Sequence, residues 1–382
     1  MKILYHHRTR AADGCRVHIE EMIASLRRLG HEVLVVAPRQ SRVEPSESPK
    51  GSGWVPWLRR KLPPSWAELL EFAYSFYAFL RLYAGYRRFR PDALYERYNL
   101  YTPTGAWLRA LTGLPVLLEV NAPMVAERSE HGGLALTRLA DWTERLSWRS
   151  ADYVLPVTRA LARHVQAKGV LDDRVVVIPN GINLSHIPEP VEGDRPKAQF
   201  GLDDKIVLGF IGFMREWHGL DRAVELLTHP AAPPELHLLL VGDGPARGAI
   251  EALAQKLGVS AQLTITGFLP HGDVPAYLAA FDIALQPAAT EYASPLKLFE
   301  YLQAGRAIVA PDQPNIREIL VHGRNALLFD PAIPASFGEA ILSLCRDSAL
   351  RDRLGRGAHA TIAELNRTWD NNAEKVIKLL GH

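Results

Sequence analysis

The sequence predicts two doubly wound α/β domains, and three observations carry that prediction. Apolar runs of strand length alternate with helical stretches, the alternation restarts once after residue 187, and 382 residues exceed what a single hydrophobic core usually holds. Strands that are apolar throughout imply parallel sheets covered by helices on both faces. In such folds ligands bind at the carboxyl ends of the strands, where the strand order reverses.

The first half opens with KILYHHRT, an ADG turn, a helical stretch and HEVLVVAP. Within the helical stretch Ile19, Met22, Ile23, Leu26 and Leu29 recur at helical spacing and form one apolar stripe. Val33 to Val36 is a strand-length run closed by Pro38, so the segment reads as one βαβ unit. The same grammar returns at IVLGFIGF (206–213), a helix around Asp221 to Leu227, LHLLLVGDG (236–244), a helix near 246–257, LTITG, a helix near 273–280, DIALQPA, a further helix and AIVAPD. The expected division is an N-terminal domain over 1–187, a polar, Pro-containing linker over 188–196 and a C-terminal domain over 197–365. The last segment, 366–382, is expected to pack back on the first domain.

Two regions depart from this rhythm. Residues 38–66 are rich in Pro, Ser and Gly and hold Trp54, Trp57 and Trp66 beside Arg59, Arg60 and Lys61. Residues 67–90 form an aromatic helix with Phe72, Tyr74, Phe76, Tyr77, Phe79 and Tyr83, too short and too charged (Glu71, Arg81) for a spanning segment. Two readings stand: a helix packed on the N-terminal sheet, or a peripheral membrane contact through 54–90 with aromatic rings at the headgroup level.

Composition narrows the function. A hydrophobic fraction of 47%, a charged fraction of 23% and a net charge of +2 describe an ordinary globular chain and disfavour a dedicated nucleic-acid binder. Cys15 and Cys345 lie far apart, with neither a disulfide framework nor zinc spacing. His6, His7, Arg8 and Arg10 follow the first residues at once, so no signal-peptide core is visible. A cytoplasmic location is expected, with membrane association on the cytoplasmic face left open.

The richest segment is EYASPLKLFEYLQAGRAIVAPD, residues 291–312. Ser294 reads as an N-cap and Pro295 as a first-turn residue, which starts a helix directly after a strand and a short loop. Unpaired amides and the positive end of the dipole make such a terminus a phosphate site. Leu296 contributes an amide there, Lys297 a cation, and Glu300 a carboxylate able to accept hydrogen bonds from a ribose diol. The competing reading makes Lys297 and Glu300 a surface ion pair at i,i+3.

This segment, together with ADGCRVHIEEMIASLRRLGHEV, VVVIPNGIN, VGDGP, TGFLPH and GFMREWHGLD, resembles the GT-B glycosyltransferases of family GT4 over nearly the whole chain. The resemblance implies a GT-B fold, two Rossmann-like domains facing a central crevice, and a nucleotide-sugar donor. It implies that Glu300 binds the ribose. Tyr292 occupies the position of the family's first carboxylate, with Glu291 one place earlier, and Pro295-Leu296-Lys297 matches a Pro-x-Lys variant. In GFMREWHGLD, His218 stands where the family usually has a diphosphate-gripping Lys and Phe213 where it has an Arg, with Arg215 close enough to substitute. Gly14 and Gly212, in the turns after the first strand of each half, go with the donor site. Gly267, Phe268 and Leu269 are expected to read the base, UDP being favoured over GDP.

In LPVLLEVNAPMVAERSEHGG, Asn121 falls where many relatives place a catalytic His. By topology it is a crevice residue; the alternative is a turn-forming Asn before Ala-Pro. Glu119, His18 and His131 are acceptor-side candidates, and Glu96 and Arg97 in YERY read equally as a salt-bridged strand end. The expected catalytic set is Asn121, Arg215 and Lys297. The resemblance implies retention at the anomeric carbon. No Asp-x-Asp follows an apolar strand, so fixed cations replace a divalent metal and no cofactor is expected. The acceptor class spans saccharides, lipid-linked acceptors and small molecules, in polysaccharide or glycolipid synthesis. An epimerase or phosphorylase on the same scaffold, with Glu119 or Glu127 as base, and a non-catalytic sugar-nucleotide-binding module are the alternatives. Turnover of donor alone marks the epimerase, and binding without turnover marks the module.

Overall fold

The computed structural model describes residues 1–9, 14–38, 62–131, 133–187 and 197–381. The chain divides into two compact units. The first comprises Met1–Pro179, Tyr292–Ser294 and Trp369–His382; the second comprises Asn180–Glu291 and Pro295–Thr368. The linker expected over 188–196, and Trp54, Trp57, Arg59, Arg60 and Lys61, lie outside the described residues. The second unit begins earlier than the expected 197, because Ile182 and Ile187 are buried in its core and the Ile182 amide donates to Arg367 O at 3.0 Å.

The first unit carries a five-stranded sheet of β1 (Lys2–His6), β2 (Glu32–Val36), β3 (Ala93–Arg97), β4 (Val116–Val120) and β5 (Tyr153–Pro156) in the order β2-β1-β3-β4-β5, every pairing parallel. Helices α1 (Gly14–Arg28), α2 (Pro64–Phe89), α3 (Thr104–Thr112), α4 (Met124–His131), α5 (Thr137–Ser150) and α6 (Arg159–Ala167) cover it. Three of the five residues of α1's apolar stripe, Ile19, Met22 and Leu26, are at most 4% exposed, so the helical period was a true guide. Helix α2 crosses the sheet at Gly85, where an added Cβ would lie 3.1 Å from Val36 and 3.4 Å from Leu4. A side chain there would push the helix off the strands.

The second unit carries β6 (Ile206–Ile211), β7 (Leu236–Val241), β8 (Leu263–Ile265), β9 (Ile283–Leu285), β10 (Ala307–Pro311) and β11 (Leu327–Phe329) in the order β11-β10-β9-β6-β7-β8, again all parallel. Its helices are α7 (Asp221–Leu226), α8 (Arg247–Leu257), α9 (Val274–Ala280), α10 (Leu296–Gln303), α11 (Pro334–Arg346) and α12 (Ser348–Leu365). Two buried clusters, one on each face of the sheet, explain why its strands are almost wholly apolar, with His237 and Thr264, bonded to each other at 2.9 Å, as the polar exceptions. The closing helix α13 (Trp369–Lys378) belongs to the first unit. It packs on α1 through a His18–Trp369 edge contact, 4.8 Å between centroids, and an Arg28–Asp370 ion pair at 2.6 Å.

Strand order reverses between β1 and β3 in the first unit and between β6 and β9 in the second. Connections leave opposite faces of the sheet at those points, so a crevice opens at the strand ends. The polar residues of interest stand there.

Candidate functional site

In the second unit, β6 runs into Gly212, whose φ of +130° is a conformation that side chains with a Cβ rarely adopt. Its amide donates to Val241 O at 2.9 Å, and a Cβ added at Gly242 would sit 2.2 Å from Gly212 O. The two strand ends therefore close on one another through glycine. A Cβ at Gly212 would also lie 3.5 Å from Lys297 Nζ, which brings the first turn of α10 against the end of β6.

Lys297 does not form the simple surface pair with Glu300. Its Nζ lies 3.8 Å from the centroid of the Phe210 ring, a cation–π contact in a largely desolvated place. Burial lowers its pKa to about 7, against the opposing pull of Glu300 one turn on. His218, on the turn after Arg215, is 7% exposed and packs 5.2 Å from Phe210 and 4.0 Å from Trp217, between centroids. Burial first, then Lys297, then Arg215 lower its pKa to about 3, so the imidazole is neutral. Its Nδ1 accepts the Arg215 amide at 3.1 Å, which leaves the ring proton on Nε2. Arg215 stacks over Phe213 at 5.0 Å. Gly212, Arg215 and His218, from one short stretch of chain, and Lys297, distant from them in sequence, thus form one cationic basin at the β6/β9 reversal.

Sequence reasoning assigned Ser294 as the cap of this helix, and the structure corrects it. Helix α10 begins at Leu296, and Pro295 takes the capping position with φ −66° and ψ 118° and no side-chain cap. An extended Pro295 cannot be the first helical residue, and Ser294, one place further out, is 6% exposed within the first unit. The amides of Leu296 and Lys297 still precede the intrahelical ladder. Glu291 is exposed and belongs to the second unit, while Tyr292 packs against the first unit's core and its carbonyl accepts Thr158 Oγ at 2.8 Å.

Beside the basin, Gly267 has φ +74° and pairs with Gly242 in an isolated bridge. Thr266 Oγ accepts the Gly242 amide at 3.1 Å and donates to Gly267 O at 2.9 Å. Phe268, 42% exposed, stacks on Phe213 with centroids 6.2 Å apart and planes 27° apart. Leu269 instead packs into the core. The pairing of Phe213 with Phe268 escaped the sequence reading, since 55 positions separate the two rings.

In the first unit, Glu119 at the end of β4 is a hub. It accepts His18 Nε2 at 2.9 Å, Tyr95 Oη at 2.7 Å, Asn121 Nδ2 at 2.5 Å and the Arg97 guanidinium. Burial alone would push its carboxyl up, but His18 and Arg97, with the hydrogen bonds from His18 and Tyr95, hold it well below the usual carboxylate range. Glu96 and Arg97 are not paired with each other: Arg97 serves Glu119, and Glu96 accepts from His6 Nδ1 at 2.7 Å, Thr104 Oγ at 2.6 Å and the Gly105 amide at 3.1 Å. His18, 4% exposed, is enclosed in this network. Trp369 of α13 covers it. Asn121 is half-buried at the rim and bonded to Glu119. Gly14 opens α1, next to residues outside the described set, and His131 closes α4 at a position whose side chain is likewise outside it. Two groups that the sequence reading did not single out stand at the same strand ends. Tyr5 Oη and His7 Nδ1 are buried without a hydrogen-bond partner among the described residues, and burial, then His6 and Arg97, lower the His7 pKa to about 4.

Nearby, a cavity of about 390 Å³ is lined by Arg8, Glu71, Asn99, Leu100, Met124, Glu127 and Arg128. Arg128 pairs with Glu71 at 2.9 Å, and Arg8 stacks over Tyr74 at 4.5 Å. Among the described residues no group of three or more His, Cys, Asp or Glu side chains is placed to hold a metal ion.

Two Rossmann-like parallel-sheet units, each with its polar residues at a strand-order reversal, define the GT-B glycosyltransferase fold. Residues 13–181 match the model of the Glycosyl transferase 4-like domain and residues 193–361 that of the Glycosyl transferases group 1, so the chain belongs to the GT4, group 1 glycosyltransferases. The chain is similar to an alpha-D-kanosaminyltransferase of Streptomyces kanamyceticus, 23% identical over 65% of this chain and 66% of that protein. It is also similar to a 2-deoxystreptamine glucosyltransferase of the same organism, 29% identical over 47% and 49%. The chain thus spans about half to two thirds of these two relatives. A GDP-mannose-dependent alpha-mannosyltransferase of Mycolicibacterium smegmatis is 25% identical over 97% of this chain and 93% of its own. Among solved structures, sucrose-phosphate synthase from Thermosynechococcus elongatus superposes with a TM-score of 0.79 at 19% identity, covering 99% of this chain and 98% of that one. Anabaena HepE, solved with UDP, superposes with a TM-score of 0.74 at 19% identity over the whole of both chains.

Proposed function

We propose that the protein is a retaining glycosyltransferase that moves a sugar from a nucleotide-diphosphate donor to a hydroxyl acceptor in polysaccharide or glycolipid synthesis. The observation that carries the proposal is the cationic basin of Lys297, Arg215 and neutral His218 around Gly212. A diphosphate placed there meets the Lys297 ammonium, the Arg215 guanidinium, the His218 Nε2–H and the first amides of α10. All of these donate, and all strengthen as charge grows on the departing phosphate. The anomeric C–O bond to the phosphate breaks and its electron pair stays on the phosphate oxygen. The acceptor oxygen attacks the same face of the anomeric carbon, and its proton passes to the leaving phosphate. Two fixed cations do the work that a divalent metal would otherwise do, so the reaction is metal-independent and uses no cofactor.

Glu300 accepts the ribose diol, and the Phe213–Phe268 pair offers the base a stacking face. UDP is favoured over GDP because HepE, of the same fold, is solved with UDP and with UDP-glucose. The first unit takes the acceptor. The cavity of Arg8, Glu71, Asn99, Glu127 and Arg128 balances two cations against two carboxylates, and Leu100 and Met124 supply an apolar wall. A hydroxyl both donates and accepts and a sugar ring has an apolar face, so this lining suits a saccharide or a cyclitol.

A thermal-shift screen of UDP, GDP and their sugar conjugates, with and without EDTA, tests the reading, since a ligand that binds only the native state raises the midpoint. UDP should give the largest shift, and turnover of the accepted donor should survive EDTA. Loss of turnover with EDTA, restored by Mn²⁺ or Mg²⁺, would refute the cation-only scheme.

A further inference from the structure

Helix α2 packs one face on the first unit and leaves an apolar face exposed. Glu68, Ser75, Ala78, Leu82 and Gly85 form its buried face. The opposite face presents Trp66, Leu69, Leu70, Phe76, Tyr77 and Leu80, spaced 3, 1, 6, 1 and 3 apart, each between 44% and 64% exposed. An ordinary surface helix is polar on that side. The apolar stripe runs about 21 Å at 1.5 Å per residue. It is widened by Trp142, 49% exposed on α5, whose ring meets Phe72 with centroids 6.2 Å apart.

Along α2 itself the outward charge has one sign. The helix's two acidic residues are both used inward: Glu68 accepts Tyr101 Oη at 2.8 Å and the Ala135 and Leu136 amides, and Glu71 pairs with Arg128. The outward face ends instead in exposed Arg87 and Arg88, with Arg81 over Tyr77 at 6.0 Å. Among the described residues no helix is long and apolar enough to cross a bilayer, so a lipid contact here must lie in the plane of the interface.

We propose that the outward face of α2 docks on an anionic lipid bilayer, with Trp66, Leu70, Phe76 and Leu80 seated among the headgroups and acyl chains and Arg87 and Arg88 against lipid phosphates. Aromatic rings and arginines side by side, with no outward carboxylate, suit an interface that is apolar on one side and anionic at its edge. A lipid-linked acceptor then reaches the enzyme in two dimensions. This inference extends the proposed function but does not depend on it, because the docking face belongs to the first unit and Lys297, Arg215 and Glu300 to the second.

The test is co-sedimentation with vesicles of phosphatidylcholine alone and of phosphatidylcholine with 30% phosphatidylserine (roughly the anionic fraction that gives a substantial surface potential). Wild type should bind the anionic vesicles, more at low salt than at high. The triple variant Leu70→Glu, Phe76→Glu, Leu80→Glu should lose at least about tenfold in partitioning, and Arg87→Glu with Arg88→Glu about fivefold or more per residue. These side chains are exposed, so both variants should keep the wild-type melting curve and UDP shift, which separates failure of docking from failure of the donor reading. No binding of wild type to anionic vesicles overturns the proposal, as does equal binding by the triple variant. So does a concentration-dependent dimer that the triple variant dissociates while vesicle binding is absent, because a second copy of the chain would then own the face.

Discussion

Lys297 ties the donor reading to a measurable proton. In the unliganded protein burial lowers its pKa from the ordinary 10.5 to about 7. At pH 8 the free side chain is then only about one-tenth charged, one unit above its midpoint. A bound diphosphate restores the charged form, so about 0.9 proton should be taken up on binding at that pH. The sign follows: affinity falls as pH rises, by about fiftyfold between pH 7 and 9 where the bound pKa stays above the window. The second ionisation of UDP, about 6 as for other phosphate monoesters, lies below this window and does not imitate the effect. Isothermal titration in two buffers of different ionisation enthalpy reads the uptake directly. In Lys297→Met the uptake should vanish and the remaining affinity should be flat with pH. Unliganded wild type should gain stability between pH 7 and 10.5, because the unfolded chain binds more protons there than the folded one, and the variant should lose that slope. UDP binding at pH 8 without proton uptake, or equal uptake by Lys297→Met, would refute the placement of the diphosphate on Lys297.

Three further outcomes follow from the same geometry. Glu300→Ala removes a charge-assisted hydrogen bond of about 1.5–3 kcal/mol, so UDP should bind about ten- to a hundredfold more weakly, while 2′-deoxy-UDP should lose less. Phe268→Ala exposes no core and removes a stacking face, which should cost UDP about 1–3 kcal/mol and leave inorganic pyrophosphate binding unchanged. Glu119→Gln leaves Arg97 buried without its carboxylate and should destabilise the protein by about 3–5 kcal/mol in a urea melt at pH 7. Because the Glu119 pKa is depressed on folding, its stabilisation is present above the usual carboxylate value and lost as pH falls through the depressed one. The difference between wild type and variant should therefore shrink in acid, and a difference independent of pH would show that Glu119 is not the hub.

Much of the fold was legible because parallel sheets buried on both faces write themselves as unbroken apolar runs. Val33 to Val36, IVLGFI and LHLLLV all became strands, and the α1 stripe became a buried helix face. Basin positions were legible where a special backbone was required, as at Gly212, or where a helix follows a strand, as at Lys297. What escaped was set by partners far apart in sequence. Nothing local to Phe213 announces Phe268, and nothing local to His18 announces that Trp369 will cover it. Ser294 was misread for a different reason: a good capping residue beside a proline is ambiguous by one position, and the extended Pro295 decided against it.

The two units treat charge in opposite ways, and that difference separates framework from site. At the strand ends of the first unit, carboxylates and bases are matched one against another: Glu96 is held by His6 and Thr104, and Glu119 by His18, Tyr95, Asn121 and Arg97. Such a network fixes geometry, and breaking any member leaves a buried group unpaired. In the second unit Lys297 lies over the Phe210 ring and Arg215 over Phe213, beside a buried His218. Burial first, with Lys297 and Arg215 adding to it, keeps His218 neutral at ordinary pH, and burial lowers the Lys297 pKa to about 7. On the proposed donor reading, a bound diphosphate would restore the charge on Lys297 that burial weakens, and would be held the more strongly for lying out of water.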